Sequence, residues 1–420
     1  MMNRAHTITA AVAAAAIIVL TTEVVPAQAQ AQEVVRWNRI ATDAMAGAQM
    51  DPLTESRVLA ILHLAIHDAL NTVERRYHTY TTTRTTTVRA SADAAVASAA
   101  QVTLAALVPK CKGTFDEELR VSLEALTDAK AKEAGVAIGR RAATAVLTKR
   151  ENDGAARTVN YVPGTTAGAY RPTPPDFTAA LLPQWGSVTP FALKDPAQFR
   201  PVPPSAPSTA LARRDIAIVN EIGSSTSTTR TAEQTEIAKF WYESSPQGWN
   251  RIARELAVAR SLDSWATARL LALVNVAMAD GFIGGFEAKY HYNYWRPATA
   301  IRETGDATWL SILPTPPVPD FPSTHTVLGA AAAAVLARFF ETDYVSFQMT
   351  SGAPYAGITR RFWSFSEAAQ ENGASRVLAG IHFPTAVKAG YEQGTLIGAY
   401  AFDQMLAPVT AARTTTTVAR

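Results

Sequence analysis

Residues 319–340 read PDFPSTHTVLGAAAAAVLARFF, and the fold can be worked out from this stretch. Pro319 and Pro322 stop any helix arriving from upstream, because proline lacks an N–H donor and restricts the residue before it. Ser323 is then a good N-cap, and residues 326–340 run on as a helix apolar enough to be buried. The first backbone N–H groups of such a helix have no internal partner and can hold an anion. His325, two residues after the cap, would sit beside that anion.

The same helical spacing recurs in both directions. Apolar positions mark helices over 51–75, 90–107, 114–126 and 128–150, then over 210–222, 231–241, 249–259 and 264–287. Further helices follow Pro297 and Ser323, cross 365–372 and run over 384–405. Strand-like alternation is scarce; YTTTRTTTV (80–88) is its best candidate and reads equally as a loop. Residues 160–207 carry YRPTPPDF and FRPVPPSAPS, an irregular proline-rich connection. The expectation is an all-α protein with two helical bundles, 32–159 and 208–408, split by that connector. Residues 409–420 read as a disordered tail.

The 420 residues are 48% hydrophobic, ample for a large core, and the net charge of +3 comes without a long basic run. That offers no nucleic-acid surface. The single cysteine, Cys111, excludes an internal disulfide framework and CxxC-type metal sites. Residues 1–31 show Arg4, an apolar run and Ala-Gln-Ala steps, the order of a signal peptide cleaved after Ala29 or Ala31. The run is short for a membrane span, and no later segment is read as one. A secreted or periplasmic protein is expected, and helical bundles of this size often form homodimers.

Chemistry gathers in three basic clusters. KYHYNYWRP holds Lys289 and Arg296, seven apart, which a continuous helix would place on one face. PSTH holds Ser323 and His325. SRVLAGIHFP holds Arg376 and His382, with Gly380 marking a turn and Pro384 opening the next helix. Arg grips oxyanions with two-pronged hydrogen bonds, and Lys adds a point charge. Brought together, three cations and two imidazoles can serve one tetrahedral oxyanion, with a neutral His attacking or coordinating and the other moving a proton.

The order Lys-x6-Arg-Pro, Pro-Ser-x-His, Ser-Arg-x5-His resembles the signature of the vanadium-dependent haloperoxidases and the type 2 phosphatidic acid phosphatase superfamily. ARLLALVNVAMADGFIGGFEAKYHYNYWRPATAI, TAEQTEIAKFWYESSPQGWNRIA and RVLAILHLAIHDALNTV are similar to the bacterial chloroperoxidase-type branch. The resemblance implies that His382 ligates vanadium and that His325 is the acid–base partner. It also implies that Lys289, Arg296, Ser323, Thr324 (through its backbone N–H) and Arg376 bind the oxygens, and that Lys289 polarises the oxidant. Hydrogen peroxide and halide would be the substrates and vanadate the cofactor. The alternatives are an acid phosphatase without cofactor, acting on a small phosphate ester through a phosphohistidine at His382, and a non-catalytic oxyanion-binding relative.

Two positions depart from the superfamily pattern. Thr324 stands where Gly is usual, which narrows the pocket. Ala386 stands where an Asp commonly follows the final His by four residues, and in the phosphatases that Asp orients the nucleophile. Elsewhere, HLAIHD sets His63 and His67 at i and i+4, a zinc-compatible spacing. It lacks the Glu of HExxH and lies on an apolar face, so packing and capping are its expected roles. Tyr290, Tyr292, Tyr294 and Trp295 read as core and pocket wall.

Overall fold

The computed structural model describes residues 32–81 and 85–409. The expected leader and nearly all of the expected tail lie outside them. The described residues form thirteen α-helices, about 59% of the structure, and one two-stranded hairpin, so the protein is all-α.

Five helices precede the connector: α1 (Gln32–Gly47), α2 (Pro52–Val73), α3 (Ala92–Leu107), α4 (Lys112–Glu124) and α5 (Ala129–Arg150). Asp51, Ser91 and Asp128 cap α2, α3 and α5 by accepting from first-turn N–H groups. Helix α1 was not anticipated, although its buried Val34, Trp37, Ala41 and Met45 fall at helical spacing. After the connector come α6 (Ala210–Ile222), α7 (Ala232–Phe240), α8 (Ser245–Ala259), α9 (Ser264–Tyr292), α10 (Pro297–Thr304) and α11 (Thr324–Phe339). The chain continues through β1 (Phe347–Thr350), β2 (Thr359–Phe362), α12 (Phe365–Leu378) and α13 (Pro384–Gln404).

The fold decides three local points. The strand candidate at 80–88 forms no strand among its described residues. The real strands pair antiparallel, Phe347 opposite Phe362, and cover one end of the core. By length and composition alone helix α9 could cross a membrane, yet 94% of its apolar window is buried inside the fold. It is the central core helix, packed by α2, α8, α11 and α13. Finally, Lys289 and Arg296 do not share a continuous helix. Asn293 takes a left-handed conformation (φ 49°) and ends α9, which leaves Arg296 as the N-cap of α10.

The main apolar cluster runs from Val34 to Leu406 and draws on both halves, so α2 and α9 share one core. Helices α11 and α13 lie unusually close. Gly390, Gly394 and Gly398 face the carbonyls of Ser323, Val327 and Ala331, where any Cβ would collide. Ser323 N–H also donates to the Ala386 carbonyl at 3.0 Å. These contacts set the N-termini of α11 and α13 side by side, and the pocket opens there.

Candidate active site

A cavity of about 270 Å³ opens where the starts of α2, α8 and α11 meet the ends of α9 and α12. Leu53, Leu181, Phe282, Phe286, Pro316 and Val318 make its apolar wall, and Arg296, Thr324, His325, Arg376 and His382 its polar floor. The N-terminal half thus closes a pocket whose chemistry comes from the C-terminal half.

Arg376 comes from the last turn of α12. It is 4% exposed, and among the described residues its Nε and Nη1 have no hydrogen-bond partner and no carboxylate lies within ion-pair reach. Its guanidinium lies 5.4 Å from the centre of the Tyr242 ring. Burial pushes its pKa down to about 10, partly offset by Tyr242. Burying an uncompensated guanidinium costs several kcal/mol, a cost that an anion in the pocket removes.

Arg296 and Lys289 do a second job. Arg296 Nε donates to the Val318 carbonyl (2.7 Å) and Nη1 to the Ile381 carbonyl (2.6 Å), and Nη1 also stands 3.1 Å from His382 Nε2. Lys289 Nζ donates to the carbonyls of Pro319 (2.6 Å) and Asp320 (2.9 Å). Both cations therefore pin the loop before α11. Lys289 does not line the cavity, though an ammonium has three donors and one remains. Burial first, then Arg296, lowers the Lys289 pKa well below the usual lysine range.

Ser323 occupies the N-cap position of α11, but its hydroxyl does not cap. Its Oγ accepts from Thr326 Oγ1 at 2.9 Å, which leaves the first N–H groups of α11 and the Ser323 proton uncommitted. The methyl of Thr324 fits because Gly285 on α9 faces it; a Cβ there would sit 2.5 Å from Thr324 Cγ2. The bulk expected to narrow the pocket is taken up by a missing side chain on the neighbouring helix.

The two imidazoles differ in their partners. His325 Nδ1 is 2.8 Å from Ser245 Oγ, and its Nε2 is unpartnered. Burial and then Arg376 lower its pKa well below the ordinary value. His382 Nδ1 lies 2.8 Å from Asp320 Oδ1, a close approach that lacks the alignment of a hydrogen bond. Burial, followed by Arg296, Lys289 and Arg376, holds His382 neutral far below its usual range. Burial pushes Asp320 up to about 7, opposed by Arg296 and Lys289.

Of the seven candidate residues the cavity gathers Arg296, Thr324, His325, Arg376 and His382, while Lys289 and Ser323 do not line it; Asp320, Ser245 and Gly285 were not among the candidates. All three lay within or beside stretches that carry the resemblance, Asp320 three residues before Ser323 and Gly285 four before Lys289, but no local pattern assigned them a role. The aromatic reading also needs correction: Tyr290, Tyr292, Tyr294 and Trp295 do not line the cavity. The three tyrosine hydroxyls donate to the carbonyls of Leu181, Pro201 and Ser205 and so tie down the connector. In HLAIHD, Asp68 accepts from Tyr80 N–H, Thr81 N–H and Thr81 Oγ1, and His63 Nε2 meets Asn38 Nδ2 at 2.6 Å. No group of three or more metal-ligating side chains occurs among the described residues.

A helical scaffold whose pocket is lined by arginines and by two histidines of different environment is the kind of protein suited to holding an oxyanion. A domain family described as the vanadium chloroperoxidase N-terminal domain matches residues 30–184, and the vanadium chloroperoxidase second helical-bundle domain matches 269–410. Vanadium chloroperoxidase of Curvularia inaequalis is 24% identical over 83% of this chain and 78% of its own. The crystal structure of the first bacterial vanadium-dependent iodoperoxidase superposes with a TM-score of 0.81 and 26% identity, covering 90% of this chain and 98% of that one. A holo bacterial vanadium-dependent chloroperoxidase shares the fold at a TM-score of 0.71 and 18% identity, over 84% of this chain and 92% of its own. The chain belongs to the vanadium haloperoxidase family.

Proposed function

We infer that this protein is a vanadium-dependent haloperoxidase that oxidises halide with hydrogen peroxide. The observation carrying this reading is Arg376, a buried cation with unpartnered nitrogens on the floor that also holds His325 and His382. The donor set fits vanadate. His382 Nε2 would be the ligand, and Arg296, Arg376, Lys289, the Ser323 hydroxyl and the Thr324 N–H would hold the oxygens. When bound, vanadate supplies a Lewis acid that activates peroxide.

The remaining work belongs to the chain. Neutral His382 keeps a lone pair for coordination, because burial and three cations disfavour its protonation. His325 Nε2 is unpartnered and free to take or give a proton on the pocket floor. Its Nδ1 partner is a hydroxyl, which can either donate or accept and so tolerates both states of the ring. The apolar wall of Phe282, Phe286 and Val318 excludes water and strengthens every charge–charge interaction on the floor.

The test is reconstitution with orthovanadate followed by peroxide-dependent oxidation of iodide, bromide and chloride, read with a phenol dye. Halide oxidation that needs both vanadate and peroxide is expected. Hydrolysis of p-nitrophenyl phosphate by the vanadate-free protein, with no halide oxidation once vanadate is bound, would replace this reading with a phosphatase. Export and pairing of two copies form part of the proposal. They rest on the leader-like residues 1–31 and on the size of the helical fold, and are checked by N-terminal sequencing of the exported protein and by its mass in solution.

A further inference from the structure

The family pattern places an orienting Asp four residues after the final histidine, and this chain has Ala386 there. Ala386 is 1% exposed and packs in an apolar cluster with Trp295, Phe321 and Phe383, so no polar group is offered from that position. A carboxylate nevertheless reaches His382 from elsewhere. Asp320, fully buried, stands 2.8 Å from His382 Nδ1 and 3.7 Å from Arg296 Nη1.

We propose that Asp320 is the positioning residue of His382, supplied by the loop before α11 in place of the missing carboxylate on α13. This rests on the reading of His382 as the vanadate ligand. One contact fixes the tautomer, and the position of Asp320 agrees with it. Arg296 Nη1 is always a donor, and it lies 3.1 Å from His382 Nε2, so Nε2 must carry the lone pair. The ring proton is then on Nδ1, the nitrogen that faces Asp320 Oδ1. A carboxylate at that nitrogen fixes ring orientation and raises the basicity of Nε2 toward a metal.

The loop is built to hold Asp320 in place. Its carbonyl accepts from Lys289 Nζ, its N–H donates to the Tyr294 carbonyl at 2.8 Å, and Arg296 Nε holds Val318 two residues earlier. Three residues later, Ser323 N–H donates to the Ala386 carbonyl, so the loop carrying Asp320 is tied to the very segment that lacks the acid. An unpaired buried carboxylate is costly to keep. Its counter-charges here are Arg296 and Lys289, and the Oδ1 that Arg296 approaches is the oxygen that faces the imidazole.

The decisive measurement is ¹⁵N NMR of histidine-labelled, vanadate-free protein, with the His382 signals assigned by their loss in His382→Gln. A proton on Nδ1 and a bare Nε2 are expected. Asp320→Ala should mix the tautomers and weaken vanadate binding, measured by equilibrium dialysis, by about 10–100-fold. Asp320→Asn keeps an acceptor of the same size without the charge, so it should preserve the tautomer and lose less affinity. A wild-type His382 protonated on Nε2 overturns the proposal without any variant, should Asp320→Ala fail to fold. So does an Asp320→Ala protein whose tautomer and vanadate affinity match wild type. Absence of halide oxidation alongside an Asp320-dependent tautomer would count against the proposed activity and leave the positioning role intact.

Discussion

Two buried arginines, one in the seam between the halves and one in the pocket, show how this molecule separates structure from chemistry. Arg254 on α8 is 8% exposed, and burial pushes it down to about 10, as it does Arg376. Arg254 Nη1 donates to Asn38 Oδ1 at 2.7 Å, and Asn38 continues into a chain through Asn250 and Asn275 that ties α1, α8 and α9 together. Arg376 has no such partner. Similar burial with opposite satisfaction separates a cation that joins helices from one that waits for a ligand. The histidines repeat the contrast: His63 sits in the Asn38 chain, whereas His325 and His382 face the cavity.

The largest effect that would break this contrast comes from the histidines. His382→Ala should lower vanadate-dependent halide oxidation by about 10³-fold or more, as expected when a reaction-centre group is removed. His63→Ala should leave turnover per folded molecule unchanged and cost about 1–3 kcal/mol in denaturant unfolding. Comparable activity losses in both variants would erase the distinction between seam and pocket.

Next come the two arginines themselves. Arg376→Met should weaken vanadate binding about 10–100-fold, the worth of charge-assisted hydrogen bonds. The ligand-free protein should be as stable as wild type or more so, because an unpaired buried charge has gone. Arg254→Met should do the reverse, costing about 1–3 kcal/mol by stranding Asn38 Oδ1 while vanadate affinity holds. Paired dialysis and denaturation curves decide the matter.

Gly285→Ala sharpens the contrast within the pocket wall. The added methyl would press on Thr324, moving the first turn of α11 and weakening vanadate binding about tenfold, with a strain of about 1–3 kcal/mol. Adding Thr324→Gly to the same chain should restore most of both. Failure of the double variant to recover would show that Gly285 serves another contact.

The smallest effect is on pH dependence. His63 has its pKa lowered to about 3 by burial and by Arg254, against 6.5 in the unfolded chain. Its contribution to stability is complete above about pH 6.5 and is lost as pH falls toward 3, because the unfolded chain takes up a proton that the folded site refuses. The slope is about 1.4 kcal/mol per pH unit for one such proton. His63→Gln should flatten the pH dependence of unfolding by that amount between pH 6 and 5.

Much of the fold was legible because helix signals are local. Asp51, Ser91 and Thr231 sit just before apolar runs, and the helices begin within two residues of the expected starts. The break before Arg296 was readable from helical patterns that end at 287 and resume after Pro297, whereas the left-handed Asn293 that makes it shows only in the backbone geometry. The β1–β2 hairpin escaped because its strands are four residues long and gain their apolar partners, such as Phe365, from outside. Helix α1 had the spacing, but it follows directly on the leader-like segment, whose apolar run dominated the reading of that end.

The helical class and seven candidate groups for an oxyanion were legible in the chain, since residue chemistry and capping are written over a few neighbouring positions. Tertiary structure alone decided which cation is left unpaired, that Gly285 makes room for Thr324, and that Asp320 stands beside His382. Those facts depend on where α9, α11 and α13 touch. Residues far apart in the chain meet there at distances that no local pattern encodes.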